Sequence, residues 1–264
     1  MFLDEILRSK KTEIAVQKEK RPFREIERDL YRCPPVRPFE KSLRGEAIRL
    51  IAEVKKASPS KGLLCPNFNP AALAKSYESG GAAAISVLTD EKFFQGSLEY
   101  LKQVKEATLG TPVLRKDFIL DPYQLVQARL AGADGVLLIV AALTKEDFHL
   151  LLQEAVSLDL APLVEVHNQK ELDIALEDGA RIIGINNRDL TTFEVALGTT
   201  YRLLEALPGS CRRAITIVSE SGIQNRRDIE ELAEAGVDAV LIGESIVTAE
   251  DPERKIHELL GVDG

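Results

Sequence analysis

Residues 131–140 read AGADGVLLIV and join a glycine directly to an uninterrupted apolar run. A glycine just past the last turn is typical of the left-handed residue that stops a helix. The apolar run shows no alternation with polar residues, which is typical of a parallel strand buried on both faces. The stretch therefore predicts a helix that ends at Gly132 and is followed at once by a buried parallel strand.

The same signature occurs three more times, in Ser79-Gly80-Gly81-Ala82, Asp178-Gly179-Ala180-Arg181 and Ala235-Gly236-Val237-Asp238. Between these units lie further short apolar runs, and the intervening segments are long enough for crossover helices. The eight predicted strands are Leu50–Val54, Ala84–Leu88, Pro112–Leu114, Gly135–Val140, Pro162–Val166, Arg181–Ile185, Ala214–Val218 and Ala239–Ile242. The four glycine signatures precede the second, fourth, sixth and eighth strands, so a unit of two strands and two helices is used four times.

Eight strands that alternate with helices predict an α/β fold, a (β/α)₈ TIM barrel. A doubly wound open sheet is the alternative, but no GxGxxG loop follows the first strand. Residues 1–45 differ from the rest, since apolar positions recur at helical spacing up to a break at Cys33-Pro34-Pro35. We interpret 1–264 as a single barrel domain in which 1–45 is an N-terminal helical extension, packed over or beside the barrel mouth.

Composition excludes several classes of protein. The net charge of -8 over 264 residues opposes nucleic-acid binding, which requires a basic face. No apolar run approaches the eighteen or so residues that cross a bilayer, and the amphipathic start lacks the apolar core of a signal peptide. We therefore expect a cytoplasmic protein that does not bind membranes. The three cysteines are far apart, so we expect neither disulfides nor a metal site.

Charged side chains occur where the predicted strands end, and buried strands rarely hold charge unless it is paired or used. Glu53 and Lys55 are two apart and so share one side of the first strand. The other polar residues at strand ends are Lys116, Glu165, Asn186, Arg188 and Glu220. One such residue is a structural ion pair as often as a catalytic group. Two lysines and three glutamates that converge on one mouth favour an active site, where burial and pairing would shift their pKa values.

Some neighbouring residues are kept outside this set. Asp117 and Asp189 could equally be structural, since they can fix loops or cap helices. His167 would share the direction of Glu165 only if the strand stays regular there.

Two glycine-containing loops predict an anion site. Ser221-Gly222 follows the seventh strand, and Gly243-Glu244-Ser245 follows the eighth. Loops after these two strands commonly bind phosphate in barrels of this type through backbone amides and a helix N-terminus. The Glu244 side chain should then point away while its N–H group binds. We expect Gly222, Gly243 and Glu244 to hold the phosphate of a small phosphorylated substrate.

Several segments resemble indole-3-glycerol-phosphate synthase, in order and over nearly the whole chain. They are Leu3-Asp4-Glu5-Ile6, Ile51–Gly62, Ser86–Gly96, Pro112–Phe118, Ile183–Leu190, Val218–Gly222 and Leu241–Ser245. The resemblance implies conversion of 1-(2-carboxyphenylamino)-1-deoxyribulose 5-phosphate to indole-3-glycerol phosphate in tryptophan biosynthesis, by a lyase that releases carbon dioxide and then water. It implies no cofactor, and we expect no fused isomerase domain.

The resemblance also implies roles for individual residues. Lys116 resembles the general acid that protonates the ketone oxygen during ring closure, and Glu165 resembles the carboxylate that positions it. Lys55 would contact the substrate carboxylate or assist dehydration, with Glu53 as its partner. Asn186 belongs with these catalytic residues and would hydrogen-bond the substrate. The residues implied to bind substrate are Arg188, Glu220, Ser58 in the first loop, Ser221, and Phe94 and Phe118 as apolar walls.

Two other readings stay open. Another phosphate-binding barrel enzyme, such as phosphoribosylanthranilate isomerase, needs a cysteine and an aspartate as its acid-base pair. Cys65 lies in the first loop and Cys211 before the seventh strand, so neither is at a strand end. A non-catalytic barrel that binds a phosphorylated metabolite is the second alternative, but binding alone needs fewer charges.

Overall fold

The computed structural model describes residues 2–189 and 192–262, apart from the side chain of Ser210. Eight parallel strands close into a barrel in which each strand pairs with the next along the chain and the last pairs with the first. The strands are β1 (Arg49–Val54), β2 (Ala84–Leu88), β3 (Val113–Lys116), β4 (Gly135–Ile139), β5 (Ala161–Val166), β6 (Ile182–Asn186), β7 (Thr216–Glu220) and β8 (Ala239–Ile242). The predicted fold class is confirmed.

Helices connect successive strands on the outside of the barrel, and short helices lie in the loops. In the described part of the chain they are α1 (Phe2–Lys20), α2 (Phe23–Glu27), α3 (Phe39–Ser42), α4 (Pro70–Ser79), α5 (Glu91–Phe94), α6 (Leu98–Ala107), α7 (Pro122–Leu130), α8 (Lys145–Ser157), α9 (Gln169–Glu177), α10 (Gly198–Ala206), α11 (Gly209–Arg212), α12 (Arg226–Glu234), α13 (Glu244–Val247) and α14 (Pro252–Leu260). None of the described helices is both long enough and apolar enough to cross a membrane.

The glycines of the repeated signature have the predicted backbone conformation. Gly81, Gly132, Gly179 and Gly236 have φ angles of 89°, 89°, 80° and 93°, which side chains disfavour. Each glycine turns the chain from a helix into the following even-numbered strand. The repeat in the sequence therefore marks the same corner of the barrel four times.

The observed strands differ from the predicted ones mainly at their ends. β7 begins and ends two residues later than predicted, at Thr216 and Glu220, and β3 continues to Lys116. These extensions carry polar side chains, so an apolar run alone does not reveal them. The first loop also contains a short antiparallel hairpin, Ala57–Ser58 with Gly62–Leu63, that was not predicted.

Residues 2–43 pack against both ends of the barrel. α1 lies at the mouth, where Phe2, Leu3 and Ile6 line a cavity. Phe39 is buried among the inward-facing side chains of the barrel together with Leu43. These two residues lie at the base of the barrel, at the end opposite the mouth. A nearby hydrogen bond shows this location: the backbone N–H of Arg37 donates to Oδ1 of Asp134, which directly precedes β4, at 2.7 Å. The extension thus spans the barrel from its mouth to its base.

Candidate active site

A cavity of about 690 Å³ lies at the carboxyl ends of the strands. All fourteen site residues predicted from the sequence line it. They are Glu53, Lys55, Ser58, Phe94, Lys116, Phe118, Glu165, Asn186, Arg188, Glu220, Ser221, Gly222, Gly243 and Glu244. The structure therefore brings together in one space residues from all parts of the barrel. Leu190, the last residue of one motif quoted above, lies outside the described residues.

Lys116 lies between two carboxylates at the end of β3. Its Nζ atom is 3.4 Å from Glu165 Oε2 and 3.4 Å from Glu220 Oε2. Burial alone would lower the pKa of Lys116, but Glu220, Glu165 and Glu53 attract its charge and raise the pKa above its ordinary value. Lys116 is therefore held as an ammonium ion.

Glu165 and Glu220 respond in opposite ways to this environment. Burial would raise the pKa of Glu165, but Lys116 and the neighbouring His167 and Asn186 side chains lower it to about 2. Burial raises the pKa of Glu220, and repulsion from Glu165 and Glu53 raises it further. Together they outweigh the attraction of Lys116, so the pKa is about 7. One carboxyl group of the pair is thus ionised at neutral pH while the other titrates there.

The room for these carboxylates comes from glycines on neighbouring strands. A Cβ atom on Gly184 of β6 would clash with Glu220 Oε1, and one on Gly243 would clash with Glu53 Oε1. Glu53 in turn lies 2.7 Å from Lys55 Nζ through the same Oε1 atom. Burial opposes ionisation of Glu53, but the charges of Lys55 and Lys116 lower its pKa. Gly184 and Gly243 therefore allow charged side chains inside the mouth.

Asn186 and Arg188 lie after β6 on the same rim. Asn186 Oδ1 accepts a hydrogen bond from the backbone N–H of Arg188 at 3.0 Å. The Arg188 guanidinium donates to the Phe193 carbonyl at 3.3 Å, so it stays over the cavity. Arg188 therefore presents a positive charge at the rim.

The two predicted phosphate loops face each other across one corner of the cavity. Ser221 and Gly222 have φ angles of 66° and 85°, so two left-handed residues follow β7 in succession. Turns at such positions can present backbone amides to an anion. The Ser245 hydroxyl also borders the cavity and is buried without a hydrogen-bond partner. Glu244 points its carboxylate to Lys61 of the first loop, 3.4 Å away.

Aromatic rings form the apolar part of the lining. Phe94 and Phe118 lie with ring centroids 6.3 Å apart. Phe2 of α1 packs edge-on against Phe93 and Phe193 at 5.7 and 5.3 Å. A planar apolar group could therefore be held between rings on one side of the charged cluster.

Sequence reasoning missed a buried ionic cluster beside this wall, of which Asp90 and Asp117 also line the cavity. Lys10 of α1 is 1% exposed, and its Nζ lies 2.9 Å from Asp90 and 3.0 Å from Asp117. Asp117 also pairs with Arg115 at 2.9 Å. These ion pairs connect α1 to the end of β3 and to the loop after β2. Asp117 thus has a structural role. In the sequence, the only sign that Asp117 lies near the mouth was its position next to Lys116.

Sequence reasoning also left out Asn187 and His167. The buried amide of Asn187 donates to Ser219 Oγ and to the carbonyls of Glu220 and Ser221, at 3.0, 3.0 and 3.1 Å. It thereby fixes the backbone of the loop after β7. His167 contacts Glu165, so the strand does keep the direction of its side chains beyond Val166. Both residues adjoin predicted site residues in the sequence, which was the available signal.

Comparison with known proteins agrees with this geometry. A family model described as indole-3-glycerol phosphate synthase matches residues 3–259. An indole-3-glycerol phosphate synthase of Desulforamulus reducens is 48% identical, over 100% of this chain and 98% of that protein. That of Roseiflexus castenholzii is 51% identical, over 98% of each. The chain belongs to the indole-3-glycerol phosphate synthase family.

A solved structure of 3-hexulose-6-phosphate synthase from Salmonella typhimurium shares the fold alone. It has a TM-score of 0.60 at 15% identity, and the match covers 81% of this chain and 98% of that one. The family gives the activity, a decarboxylating lyase reaction of tryptophan biosynthesis that produces indole-3-glycerol phosphate from 1-(2-carboxyphenylamino)-1-deoxyribulose 5-phosphate. The expectation drawn from the sequence motifs is confirmed.

Proposed function

We propose that Lys116 is the general acid of ring closure and that Glu165 positions it. The observation that carries this assignment is a largely buried ammonium at the end of β3, 3.4 Å from each of two carboxylates inside the cavity. The substrate's aromatic carbon that bears the carboxylate attacks the ketone carbon, and the ketone oxygen gains the electron pair. Lys116 gives that oxygen a proton, and loss of carbon dioxide returns electrons to the ring.

We assign Lys55 and Glu53 to the other charged part of the reaction. Their contact of 2.7 Å makes them a second acid-base pair on the opposite side of the cluster. Lys55 contacts the substrate carboxylate or supplies a proton to the hydroxyl that leaves as water. Glu53, its carboxylate partner in that step, takes up the proton lost from the adjacent ring carbon as the double bond forms.

The remaining residues bind and orient the substrate in this proposal. Asn186 and Glu220 hydrogen-bond its polar groups, and a carboxyl group with a pKa of about 7 can donate or accept near neutral pH. Arg188 and Ser58 bind its anionic groups. Phe94 and Phe118 hold the anthranilate ring.

The phosphate belongs in the corner formed by the loops after β7 and β8. Gly222, Gly243 and the amide of Glu244 bind it, with Ser221 alongside. The left-handed backbone at Ser221 and Gly222 and the unpaired Ser245 hydroxyl support this position. The Glu244 carboxylate is turned toward Lys61, which keeps its charge from the phosphate.

We extend the proposal to the organisation of the chain. The helices of 1–45 and the barrel form a single domain, supported by the contacts of α1 and Phe39 with opposite ends of the barrel. The partner is a small phosphorylated molecule rather than nucleic acid, and a biosynthetic role of this kind places the protein in the cytoplasm.

The variant Lys116→Met tests the assignment of the general acid. Methionine keeps most of the side-chain length and removes the ammonium. We expect single-turnover rates with the carboxyphenylamino substrate to fall roughly a hundredfold to ten-thousandfold. Product binding, measured by titration, should change little.

Lys145→Met is the matched control, because Lys145 is an exposed lysine paired with Glu177 at 2.7 Å and distant from the cavity. It should leave the rate unchanged. If Lys116→Met kept more than about a tenth of the wild-type rate, Lys116 would not be the acid, and Lys55 would be the next candidate.

A further inference from the structure

His167 lies behind the cavity, between two carboxylates. It follows β5 directly, and its side chain is 13% exposed. Its Nε2 atom is 3.3 Å from Glu165 Oε1, and its Nδ1 atom is 3.0 Å from Glu171 Oε2 on α9. The same Glu171 oxygen accepts the His167 backbone N–H at 2.8 Å. The imidazole therefore bridges a carboxylate of the cavity to one on the helix layer.

This arrangement selects the charged form of the ring. A neutral imidazole has a single N–H group, so one of its nitrogens would direct a lone pair at a carboxylate. The imidazolium ion has two N–H groups and can face both carboxylates. Burial lowers the pKa of His167, but Glu165 and Glu171 raise it to about 10, in agreement with the geometry.

Glu165 consequently contacts two cations through different oxygens. Oε2 faces Lys116 at 3.4 Å, and Oε1 faces His167 at 3.3 Å. Glu53 and Glu220 repel Glu165 across the cavity, and Lys55 in turn attracts Glu53. When Lys116 gives up its proton, His167 is the cation that still holds Glu165 in place.

We propose that His167 is a positioning residue that keeps Glu165 oriented and ionised while Lys116 transfers its proton. Glu171 keeps His167 charged, so the chain Glu171–His167–Glu165–Lys116 connects α9 to the reacting atoms. Asn168 fixes Glu171 in turn, since its side chain donates to Glu171 Oε1 at 2.5 Å. This inference rests on the proposed roles of Lys116 and Glu165.

The pH dependence of kcat in His167→Asn tests the inference. Removing the neighbouring cation raises the pKa of Glu165, so the acid limb that Glu165 contributes to the profile should move to higher pH. At neutral pH, kcat should fall roughly tenfold, within the usual range for acid-base groups, while KM stays within about twofold. A uniform loss of rate with an unmoved limb would reduce His167 to a structural role and overturn the inference.

The variant Glu171→Gln should change the opposite, alkaline side of the pH profile of kcat. With one carboxylate removed, the imidazole loses its proton at lower pH, so kcat should decline on the alkaline side, between about pH 7 and 10, relative to the wild type. The control is His149→Asn, because His149 is an exposed histidine 3.2 Å from Asp178 on the outer surface. That variant should reproduce the wild-type profile.

A measurement without any variant of the site covers the case in which His167→Asn does not fold. In protein labelled with nitrogen-15 histidine, His167 should show two protonated nitrogens at pH 8, and a neutral ring at that pH would overturn the inference. The two hypotheses also separate. If Lys116→Met is inactive while His167→Asn has the wild-type profile, the role of His167 alone is wrong.

Discussion

At the residue scale, Glu220 combines burial with like charge and so behaves differently from the other acids of the cavity. Its carboxyl is 1% exposed and its Oε1 atom has no hydrogen-bond partner. Lys116 compensates part of this cost, but Glu165 competes for the same ammonium. The result is a carboxyl group poised near neutrality, which suits a residue that must bind a substrate whose charge changes during turnover.

We expect Glu220 to make the protein less stable as pH rises. The pKa of Glu220 is about 7 in the folded protein, against 4.5 for an unperturbed glutamate, so folding takes up a proton between these values. The unfolding free energy of the wild type should fall across that interval, relative to Glu220→Gln, by on the order of 3 kcal/mol at most. Urea unfolding at pH 4.5 and 7.5 measures this difference.

The control has the opposite sign. Glu78 accepts the N–H groups of Leu109, Gly110 and Thr111, and its pKa is lowered to about 2 despite burial. Its stabilising effect is lost only as pH falls below about 4.5, so Glu78→Gln should leave the slope between pH 4.5 and 7.5 unchanged. Parallel slopes for Glu220→Gln and the wild type would contradict the role assigned to burial at Glu220.

The sequence was informative about which residues reach the cavity but not about their partners. Glu53 and Lys55 share a strand face by parity, and the structure confirms the contact. The contacts of Lys116 could not be derived in this way, since they depend on the stagger between strands when the barrel closes. His167 was left out for the same reason, because strand regularity after Val166 is not visible in sequence.

At the scale of elements, the charged cluster follows the alternation of the barrel. Glu53, Lys116, Glu165 and Glu220 come from β1, β3, β5 and β7. In barrels of this type, the inward side chains of alternate strands share a layer. Here the layer nearest the mouth holds one ammonium and three carboxyl groups in place of apolar side chains, which explains why residues far apart in sequence meet.

The attachment of α1 is an element-level feature that sequence patterning did not predict. Lysines on an amphipathic helix usually face solvent, and the partners of Lys10 lie on distant elements. We expect Lys10→Met to lower the unfolding free energy by about 3–5 kcal/mol, because Asp90 would remain buried without its cation and Asp117 would keep only Arg115. Lys11→Met, at an exposed position on the same helix, should change it by less than about 0.5 kcal/mol.

Hydrogen exchange of α1 completes that comparison. Amides of Phe2–Lys20 should exchange faster in Lys10→Met than in Lys11→Met. Equal stability of the two variants would show that the buried cluster does not hold the helix on the barrel.

The loop after β7 gives a second element-level prediction. In Gly222→Ala, the new Cβ would lie against Val195 Cγ1, and φ is 85°, so the loop must change its backbone. We expect KM to rise about tenfold or more, with kcat changed by less than about threefold, because uniform binding of the phosphate is lost. Steady-state kinetics measure both values.

Gly179→Ala is the matched control for backbone strain. Gly179 has a φ of 80° and open space around its Cβ position, at a helix end away from the cavity. Both variants should lose stability, but only Gly222→Ala should raise KM. A rise in KM of the same size in both would place the phosphate elsewhere.

At the scale of the whole molecule, the residues that stabilise the barrel and the residues of the active site lie at different levels along its axis. Phe39 and Leu43 close the base, apolar residues fill the middle, and the ionised groups meet at the mouth. The fold could be predicted almost completely, because the corner glycines and buried apolar runs such as Gly135–Ile139 are local signals. The closure of the base by Phe39 could not be predicted, because it depends on a long-range contact that leaves no periodic pattern in the sequence.

The first loop connects the two sides of the mouth and should respond to ligand. Residues 56–66 contain the hairpin of Ala57–Ser58 and Gly62–Leu63, and Lys61 reaches Glu244 of the loop after β8. Ser58 and Lys61 line the cavity, so a bound phosphorylated product would contact the loop from inside. We expect product to slow hydrogen exchange of residues 56–66, as is common for loops that cover an active site.

Hydrogen exchange with mass spectrometry, with and without indole-3-glycerol phosphate, measures this effect. The internal control is residues 108–112, which precede β3 at the base of the barrel and should exchange equally in both samples. In Lys61→Ala the contact with Glu244 is lost, but the hairpin hydrogen bonds remain. We therefore expect smaller protection by product and a product dissociation rate raised severalfold, within the range of loop effects on release. Equal protection of residues 56–66 with and without product would show that the loop is a fixed wall.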